Sequence, residues 1–177
     1  ITVIMPMLYG GRQHRRNARE SLDCAQMLQE LENMGVTDII TFDAHDPRVQ
    51  NAVPLMGFDN YFAHYQILKC LTRRFPDVKL QKDSLMVISP DEGAIPRNVY
   101  YASVLGLDLG MFYKRRDYST IINGRNPIIA HEYIGSSVEG MNVFVADDMI
   151  ATGDSILRLA KEIKEKYNDI INRINIV

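Results

Sequence analysis

The fold is indicated most clearly by the segment Val143-Phe144-Val145-Ala146-Asp147-Asp148-Met149-Ile150-Ala151-Thr152-Gly153-Asp154-Ser155. It begins as a buried β-strand, and two acidic residues and a loop of small residues follow the apolar part. The next residues repeat apolar side chains with helical spacing, and these are Ile156, Ala160, Ile163 and Tyr167. A buried strand that leads through a short loop into an amphipathic helix is typical of an α/β fold with parallel strands.

The same alternation of strand and helix patterns extends over the rest of the chain. Short β-branched runs predict strands at 1–5, 38–42, 85–88, 107–113, 141–145 and 172–177, and helical spacing predicts helices at 21–34 and 155–167. Pro76 and a run of charged residues interrupt the apolar pattern, so we predict two α/β domains with mainly parallel sheets, at 1–78 and 79–177. The outermost strands have no neighbours in the sequence, so we expect a fragment in which both domains are incomplete.

The composition argues against several classes of partner. The 177 residues are 46% hydrophobic and carry a formal net charge of -2. This balance gives no sign of a nucleic-acid partner, and no apolar stretch reaches the roughly 18 residues of a membrane span. Cys24 and Cys70 lack the spacing of a metal site, which favours free thiols in a reducing compartment. We therefore expect a cytoplasmic protein that binds neither nucleic acid nor membrane.

Residues 147–155 have the chemistry of a sugar-phosphate site. Asp147 and Asp148 end a predicted strand, where their carboxylates can reach sugar hydroxyls or a hydrated Mg²⁺. The loop leads into a helix N-terminus, whose free N–H groups and dipole favour a phosphate. The alternative is an ordinary strand–turn–helix junction in which Thr152 or Ser155 caps the helix.

Two polar segments lie in the first half of the chain. Arg12, Arg15 and Arg16 follow a predicted strand in a glycine-containing loop, where their guanidinium groups can converge on a polyphosphate. The alternative is a solvated basic run. His45 lies between Asp43 and Asp46 at a strand end, which suits either a metal ligand or a histidine paired with a neighbouring carboxylate.

Two further polar segments lie in the second half. Asp91 follows a predicted strand and precedes Gly93, so it is a candidate ligand-binding acid or simply an acid favoured by a helix dipole. Lys114, Arg115 and Arg116 end an apolar strand ahead of a long polar stretch. This pattern suits a mobile cationic lid over transferred phosphoryl groups, or a solvated strand end.

Five segments, in the same order along the chain, resemble those of the ribose-phosphate pyrophosphokinase family. They are residues 12–16, 42–46, 89–93, 114–116 and 147–155. The last segment is similar to the phosphoribosyl-binding loop that phosphoribosyltransferases also have, whereas the other four are similar to segments specific to the pyrophosphokinases. The resemblance implies two phosphoribosyltransferase-like, Rossmann-like domains.

The resemblance also implies a reaction: a ribose-phosphate diphosphokinase moves the diphosphoryl group of ATP to the anomeric hydroxyl of ribose 5-phosphate. The products are phosphoribosyl diphosphate, used in nucleotide biosynthesis, and AMP. It implies Mg²⁺ as the cofactor and a homo-oligomer, a hexamer, as the assembly.

The resemblance assigns roles residue by residue. It makes Lys114 and Arg116 catalytic, and it makes His45 and Asp91 residues of the magnesium site. The residues implied in ATP binding are Arg12, Gln13 and His45. Those implied in ribose 5-phosphate binding are Asp147, Asp148, Ala151, Thr152, Gly153, Asp154 and Ser155.

Two positions depart from the family pattern. Ala151 replaces an acid that many members carry, and Asp154 places a negative charge where a small residue is commoner. Unless Asp154 points outward, its repulsion of the 5-phosphate would weaken sugar binding by about 1 kcal/mol or more. These departures favour one alternative, a non-catalytic regulatory subunit that binds ribose phosphates. A salvage phosphoribosyltransferase is a further alternative, but it has no use for segments 12–16, 43–46 and 114–116.

Overall fold

The computed structural model describes residues 1–116, 119, 128–150, 152–166 and 173–176. The chain divides into two compact units, residues 1–68 and 69–177. The domain boundary after residue 78 stays a prediction, because a division into compact units does not by itself define a folding domain. Among the described residues, no helix is long and apolar enough to cross a membrane.

The first unit contains a three-stranded parallel sheet. Its strands are β1 (Thr2–Met5), β2 (Asp38–Phe42) and β3 (Gly57–Tyr61), in the order β1-β2-β3. Helix α1 (Asp23–Asn33) connects β1 to β2, and a 3₁₀ helix (Pro47–Ala52) connects β2 to β3. The core of this unit is formed by the buried residues Leu8, Cys24, Leu28, Val36, Ile39, Ala44, Val49, Val53 and Met56.

Helix α2 (His64–Arg74) begins in the first unit and ends in the second. The second unit contains a five-stranded sheet. The strands of this sheet are β4 (Leu85–Ser89), β5 (Leu109–Arg116), β6 (Ile128–Ile134), β7 (Asn142–Val145) and β8 (Arg173–Ile176). Their order is β6-β5-β4-β7-β8, and only the β5–β6 pair is antiparallel among these pairs. Helices α3 (Ile95–Leu105) and α4 (Asp154–Lys166) complete the described elements of the unit.

The central strand β4 is buried between the helices of the second unit. All five of its residues are buried, as expected for a parallel strand covered on both faces. Leu159 and Ile163 of α4 pack in a cluster with Met86 and Ile88 of β4. The ring of Phe144 in β7 contacts Tyr101 of α3 edge-to-face, with ring centroids 5.2 Å apart.

The prediction of an α/β fold with mainly parallel sheets is confirmed. Strand β2 has the predicted bounds, and the predicted helices at 21–34 and 155–167 correspond to α1 and α4. Five of the described elements had no predicted range, namely the 3₁₀ helix, β3, α2, α3 and β6. Position Tyr167, predicted on the buried side of the last helix, lies outside the described residues.

The strand order determines where functional side chains can meet. In the second unit β4 and β7 are hydrogen-bonded neighbours, with Ile88 opposite Val145. Both strands therefore end side by side, and the loops that follow them begin at the same edge of the sheet. In the first unit the loops after β1, β2 and β3 share one edge for the same reason.

Two leucines of α4 provide a matched test of this packing. Leu159 is 1% exposed and Leu157 is 67% exposed, so Leu159→Ala and Leu157→Ala change helix propensity equally but differ in burial. We expect Leu159→Ala to lower the free energy of unfolding by about 2–5 kcal/mol and Leu157→Ala by no more than about 0.5 kcal/mol. Urea unfolding measures both values, and equal losses would contradict this arrangement of α4.

Candidate functional site

The first acid-bearing loop of the second unit follows β4. The Ser89 hydroxyl donates a hydrogen bond to the backbone oxygen of Asp91 at 2.7 Å. One carboxylate oxygen of Asp91, Oδ1, accepts the backbone N–H groups of Gly93 at 3.0 Å and Ala94 at 3.2 Å. Asp91 thus stabilises the turn that leads into α3, as an acid near a helix N-terminus does.

The second acid-bearing loop follows β7. Asp147 accepts the backbone N–H of Asp148 through its carboxylate at 2.9 Å. The Asp148 carboxylate lies 3.8 Å from the guanidinium of Arg97 on α3, and the side chains of Asp148 and Arg97 are only 7% and 11% exposed. A charge pair that is largely removed from water keeps more of its attraction than a surface pair does, so Arg97 fixes Asp148 against α3.

The three acids Asp91, Asp147 and Asp148 influence one another. The pKa of Asp147 is raised to about 6, mainly by burial and further by its hydrogen bond to the Asp148 carboxyl and by the charges of Asp148 and Asp91. The structure therefore brings together three of the acids that the sequence predicts as site residues. Groups that stabilise a carboxylate, such as sugar hydroxyls or a cation, have a favourable place here.

Gly153 shapes the junction between this loop and α4. Its φ of +81° lies in the left-handed region that residues with a side chain rarely adopt. Its carbonyl accepts the backbone N–H of Leu157 at 2.9 Å, which starts the hydrogen-bond ladder of the 13-residue helix. The N–H groups of the first turn have no partner within the helix, so they can bind an anion. Thr152 is exposed beside them.

The side chains of several predicted site residues lie outside the part of the chain that the structure describes. Ala151 lies outside the described residues, and so do the side chains of Asp154 and Ser155, although the backbone of both belongs to α4. Lys114 and Arg116 are in strand β5, opposite His131 and Ile128 of β6. Their side chains also lie outside the description, so their role stays a prediction.

In the first unit the basic segment lies in the loop after β1. Arg12 is exposed, and the backbone N–H of Gln13 donates to the carbonyl of Gly10 at 2.7 Å. The side-chain amide of Gln13 donates to the backbone oxygen of Ser21 at 3.2 Å. A tight turn therefore presents Arg12 to solvent while Gln13 ties the loop to the start of α1.

His45 lies in the loop after β2, which β3 holds in place. The backbone N–H of Asp43 donates to the carbonyl of Tyr61 at 2.9 Å, and that of Ala44 donates to the side-chain oxygen of Asn60 at 3.0 Å. Asp43 has a φ of 51°, a left-handed value that aspartate tolerates better than most residues. His45 is exposed at this turn.

A contact that the sequence analysis missed joins these two loops. The ring of His14 lies 5.4 Å from that of His45, and its Nδ1 lies 2.9 Å from a carboxylate oxygen of Asp46. Arg48 donates to both carboxylate oxygens of Asp46, at 2.6–3.1 Å. His14 belongs to the basic segment 12–16, and no signal in the sequence pairs it with Asp46.

The charges of this cluster have clear causes. The hydrogen bonds from Arg48 hold the pKa of Asp46 well below its usual range. Burial lowers the pKa of His14, and the attraction of Asp46 opposes this effect. Because a neutral imidazole has one N–H, the short contact is best explained by Nδ1–H donating to Asp46. The basic segment and the His45 loop are therefore connected through Asp46.

A metal site is not formed by protein groups alone in the part of the chain that the structure describes. Over those residues no group of three or more His, Cys, Asp or Glu side chains is arranged to hold an ion. His45 belongs to the first unit and Asp91 to the second.

The raised pKa of Asp147 predicts a pH-dependent stability. Its folded pKa of about 6 lies above its ordinary value of 3.8, so the folded state binds more protons between these values. The free energy of unfolding should therefore fall as pH rises from about 4 to about 6, and Asp147→Asn should abolish this fall. After allowance for solvent screening, we expect the variant to gain about 1 kcal/mol relative to wild type between pH 4 and pH 7.

Urea unfolding at a series of pH values measures this difference. A stability difference between Asp147→Asn and wild type that stays constant from pH 4 to pH 7 would contradict the raised pKa of Asp147.

Comparison with known proteins adds independent evidence. A family model described as the phosphoribosyl transferase domain matches residues 57–174. A ribose-phosphate pyrophosphokinase of Ralstonia nicotianae is 32% identical over 168 residues, which cover 94% of this chain and 49% of that protein. One of Chlorobaculum tepidum is 31% identical over 166 residues, covering 93% of this chain and 47% of that protein. The chain thus spans about half the length of the curated relatives it matches.

A solved structure supports the fold. The crystal structure of phosphoribosylpyrophosphate synthetase from Mycobacterium smegmatis matches with a TM-score of 0.81 and 22% sequence identity. The match covers 99% of this chain and 52% of that one. The resemblance to ribose-phosphate pyrophosphokinases is confirmed by the relatives of that name. Because the family model matches most of its residues, the chain belongs to the phosphoribosyl transferase domain family.

Proposed function

We propose that this chain carries much of the site of a ribose-phosphate diphosphokinase, which converts ATP and ribose 5-phosphate into AMP and phosphoribosyl diphosphate. The observation that carries the proposal is the half-buried pair Asp147 and Asp148, which lies shortly before Gly153 and the N-terminus of α4. Similarity to proteins named ribose-phosphate pyrophosphokinase over 94% of the chain supports the same reaction.

Ribose 5-phosphate is proposed to bind at the edge where β4 and β7 end. The carboxylates of Asp147 and Asp148 accept hydrogen bonds from the sugar hydroxyls, which suits a buried acid with a raised pKa. The 5-phosphate binds the N–H groups of residues 151–155, a segment made of Ala151, Thr152, Gly153, Asp154 and Ser155. The positive end of α4 favours the phosphate charge, and the charge of Asp154 opposes it.

ATP is proposed to bind the first unit through Arg12, Gln13 and His45. The exposed guanidinium of Arg12 provides a planar donor for phosphate oxygens, and His45 can donate to them as well. The link through His14 and Asp46 supports this assignment, because it holds the Arg12 and His45 loops together before any ligand arrives.

Mg²⁺ is the cofactor we propose, and the acidic loops fit it. This ion prefers oxygen ligands and retains several waters, so one or two of the carboxylates of Asp91, Asp147 and Asp148 would hold it together with water and substrate phosphates. His45 offers nitrogen, which Mg²⁺ binds poorly, so His45 would interact with the ion through water or a phosphate oxygen. When bound, the ion neutralises charge on the phosphate groups.

In the proposed reaction, the anomeric oxygen of ribose 5-phosphate attacks the β-phosphorus of ATP in line. A bond forms between that oxygen and the β-phosphorus, the bond to the α-phosphate oxygen breaks, AMP leaves, and the hydroxyl proton is released. Lys114 and Arg116 donate to the oxygens of the transferring group, where negative charge accumulates. The protein contributes mainly position and charge, as in other phosphoryl transfers.

The assembly and location follow from the resemblance. We propose a homo-oligomer, a hexamer by analogy with ribose-phosphate pyrophosphokinases, that acts in the cytoplasm. Size-exclusion chromatography with light scattering measures the assembly directly.

The reaction is tested by incubating the whole protein with Mg·ATP and ribose 5-phosphate and measuring AMP and phosphoribosyl diphosphate. We expect equimolar formation of both. Saturable binding of ribose 5-phosphate without AMP would reject the enzyme and favour a non-catalytic ribose-phosphate-binding subunit, which Ala151 and Asp154 would explain. Consumption of phosphoribosyl diphosphate with a nucleobase would instead favour a salvage phosphoribosyltransferase.

The proposed role of Lys114 makes a separate prediction. Lys114→Ala removes one donor to the transferring group, which should lower kcat about 100- to 1,000-fold while KM for Mg·ATP changes less than about threefold. Arg115→Ala is the matched control, because it removes the same charge at a neighbouring position to which we assign no role. Near-normal turnover in Lys114→Ala, or an equal loss in both variants, would contradict a specific role for Lys114.

A further inference from the structure

Asn98 is a buried polar residue to which neither the motifs nor the proposed reaction assigns a role. It lies in the first turn of α3 and is 0% exposed. Burying an amide is unfavourable unless its donors and acceptor find partners, so a fully buried asparagine calls for an explanation. The partners of Asn98 are in two loops that carry acids of the candidate site.

The Asn98 amide pairs with both backbone groups of Ala146. Its Nδ2 donates to the Ala146 carbonyl at 2.9 Å, and its Oδ1 accepts the Ala146 N–H at 3.3 Å. Ala146 is the first residue after β7, just beyond Val145, the last residue of β7 that pairs with β4. The Asn98 amide therefore bonds Ala146 in the way that an adjacent strand would. It extends the hydrogen bonding of β7 by one residue, to the position just before Asp147.

The same amide also holds the loop after β4. Its Nδ2 donates to the carbonyl of Ala94 at 2.8 Å and lies 3.5 Å from the hydroxyl of Ser89. That hydroxyl donates to the backbone oxygen of Asp91, and the Ala94 N–H donates to the Asp91 carboxylate. One side chain thus connects Ala94, whose N–H binds the Asp91 carboxylate, with Ala146, which directly precedes Asp147.

This connection opposes a specific force. The two loops carry three acids, Asp91, Asp147 and Asp148, and repulsion between like charges at one edge of the sheet tends to separate the loops. The hydrogen bonds of Asn98 resist this separation from the buried side, where water cannot replace them. Arg97, the preceding residue of α3, contributes in the same direction by its contact with Asp148.

We propose that Asn98 is a positioning residue of the ribose-phosphate site. Its amide fixes the distance between the loop that carries Asp91 and the loop that carries Asp147 and Asp148. The inference rests on the proposed function, because it assigns these two loops to one substrate. It makes affinity for ribose 5-phosphate depend on a residue that touches no ligand.

The test compares Asn98 with Asn142, a second asparagine at the opposite end of β7. The half-buried Asn142 donates its Nδ2 to the backbone oxygen of Ser84 at 3.0 Å, far along the strand from the acids. Asn98→Ala and Asn142→Ala each remove an amide that bonds to backbone, but only the first touches the acid-bearing loops. Asn98→Asp additionally keeps the shape of the side chain while replacing the donors with a carboxylate.

We expect both Asn98→Ala and Asn98→Asp to raise KM for ribose 5-phosphate at least tenfold, and by a larger factor than KM for Mg·ATP. Asn142→Ala should change neither constant more than twofold. Thermal unfolding shows which variants are folded. If the added charge prevents Asn98→Asp from folding, the KM values of Asn98→Ala alone test the inference. A direct titration of ribose 5-phosphate by calorimetry should give the same order of affinities.

Three outcomes would overturn the inference. Equal KM values for ribose 5-phosphate in Asn98→Ala and Asn142→Ala, with both melting temperatures lowered, would leave Asn98 a merely structural role. An increase in Asn98→Asp alone would assign the effect to added charge. A wild-type protein that neither binds ribose 5-phosphate nor forms AMP would reject the proposed function itself, and the positioning role would fall with it.

Discussion

The pairing of β4 with β7 is the constraint on which the candidate site depends. Their register places Ile88 opposite Val145, so two loops that are more than fifty residues apart in sequence start side by side. Each loop carries acids, and burial, followed by the proximity of the other acids, raises the pKa of Asp147 to about 6. The fold balances this cost with backbone N–H groups, Arg97 and the buried amide of Asn98. The result is a crowded acidic edge whose charge is best neutralised by a ligand.

Much of the fold could be predicted from the sequence because its central elements have strong periodicity. β2 and β4 are apolar, β-branched runs, and α4 alternates buried and exposed positions with helical spacing. The strand β3 was missed because its sequence, Gly-Phe-Asp-Asn-Tyr, has no fully buried residue and contains three residues that disfavour strands, namely glycine, aspartate and asparagine. It forms at the edge of its sheet because β2 provides hydrogen-bond partners, which a sequence pattern does not show.

Some residues of the candidate site could also be predicted from the sequence, and others could not. Residues that precede or follow a strand end, such as Asp91, Asp147 and His45, could be predicted because parallel strands present their carboxyl ends at one edge. Asn98 and the pair of His14 and Asp46 were missed, because their partners are distant in sequence: 48 residues separate Asn98 from Ala146. Buried polar residues of this kind are identified by the hydrogen bonds that justify their burial.

The central claim is that the edge formed by β4 and β7 binds ribose 5-phosphate while the loops after β1 and β2 bind ATP. Hydrogen exchange followed by mass spectrometry on the whole protein tests it directly, because bound phosphate occupies backbone N–H groups. We predict that ribose 5-phosphate slows exchange in residues 146–156 and that ATP slows it in residues 10–16 and 43–48. If saturating ribose 5-phosphate leaves the hydrogen-exchange rates of residues 146–156 unchanged, ribose 5-phosphate does not bind at this edge.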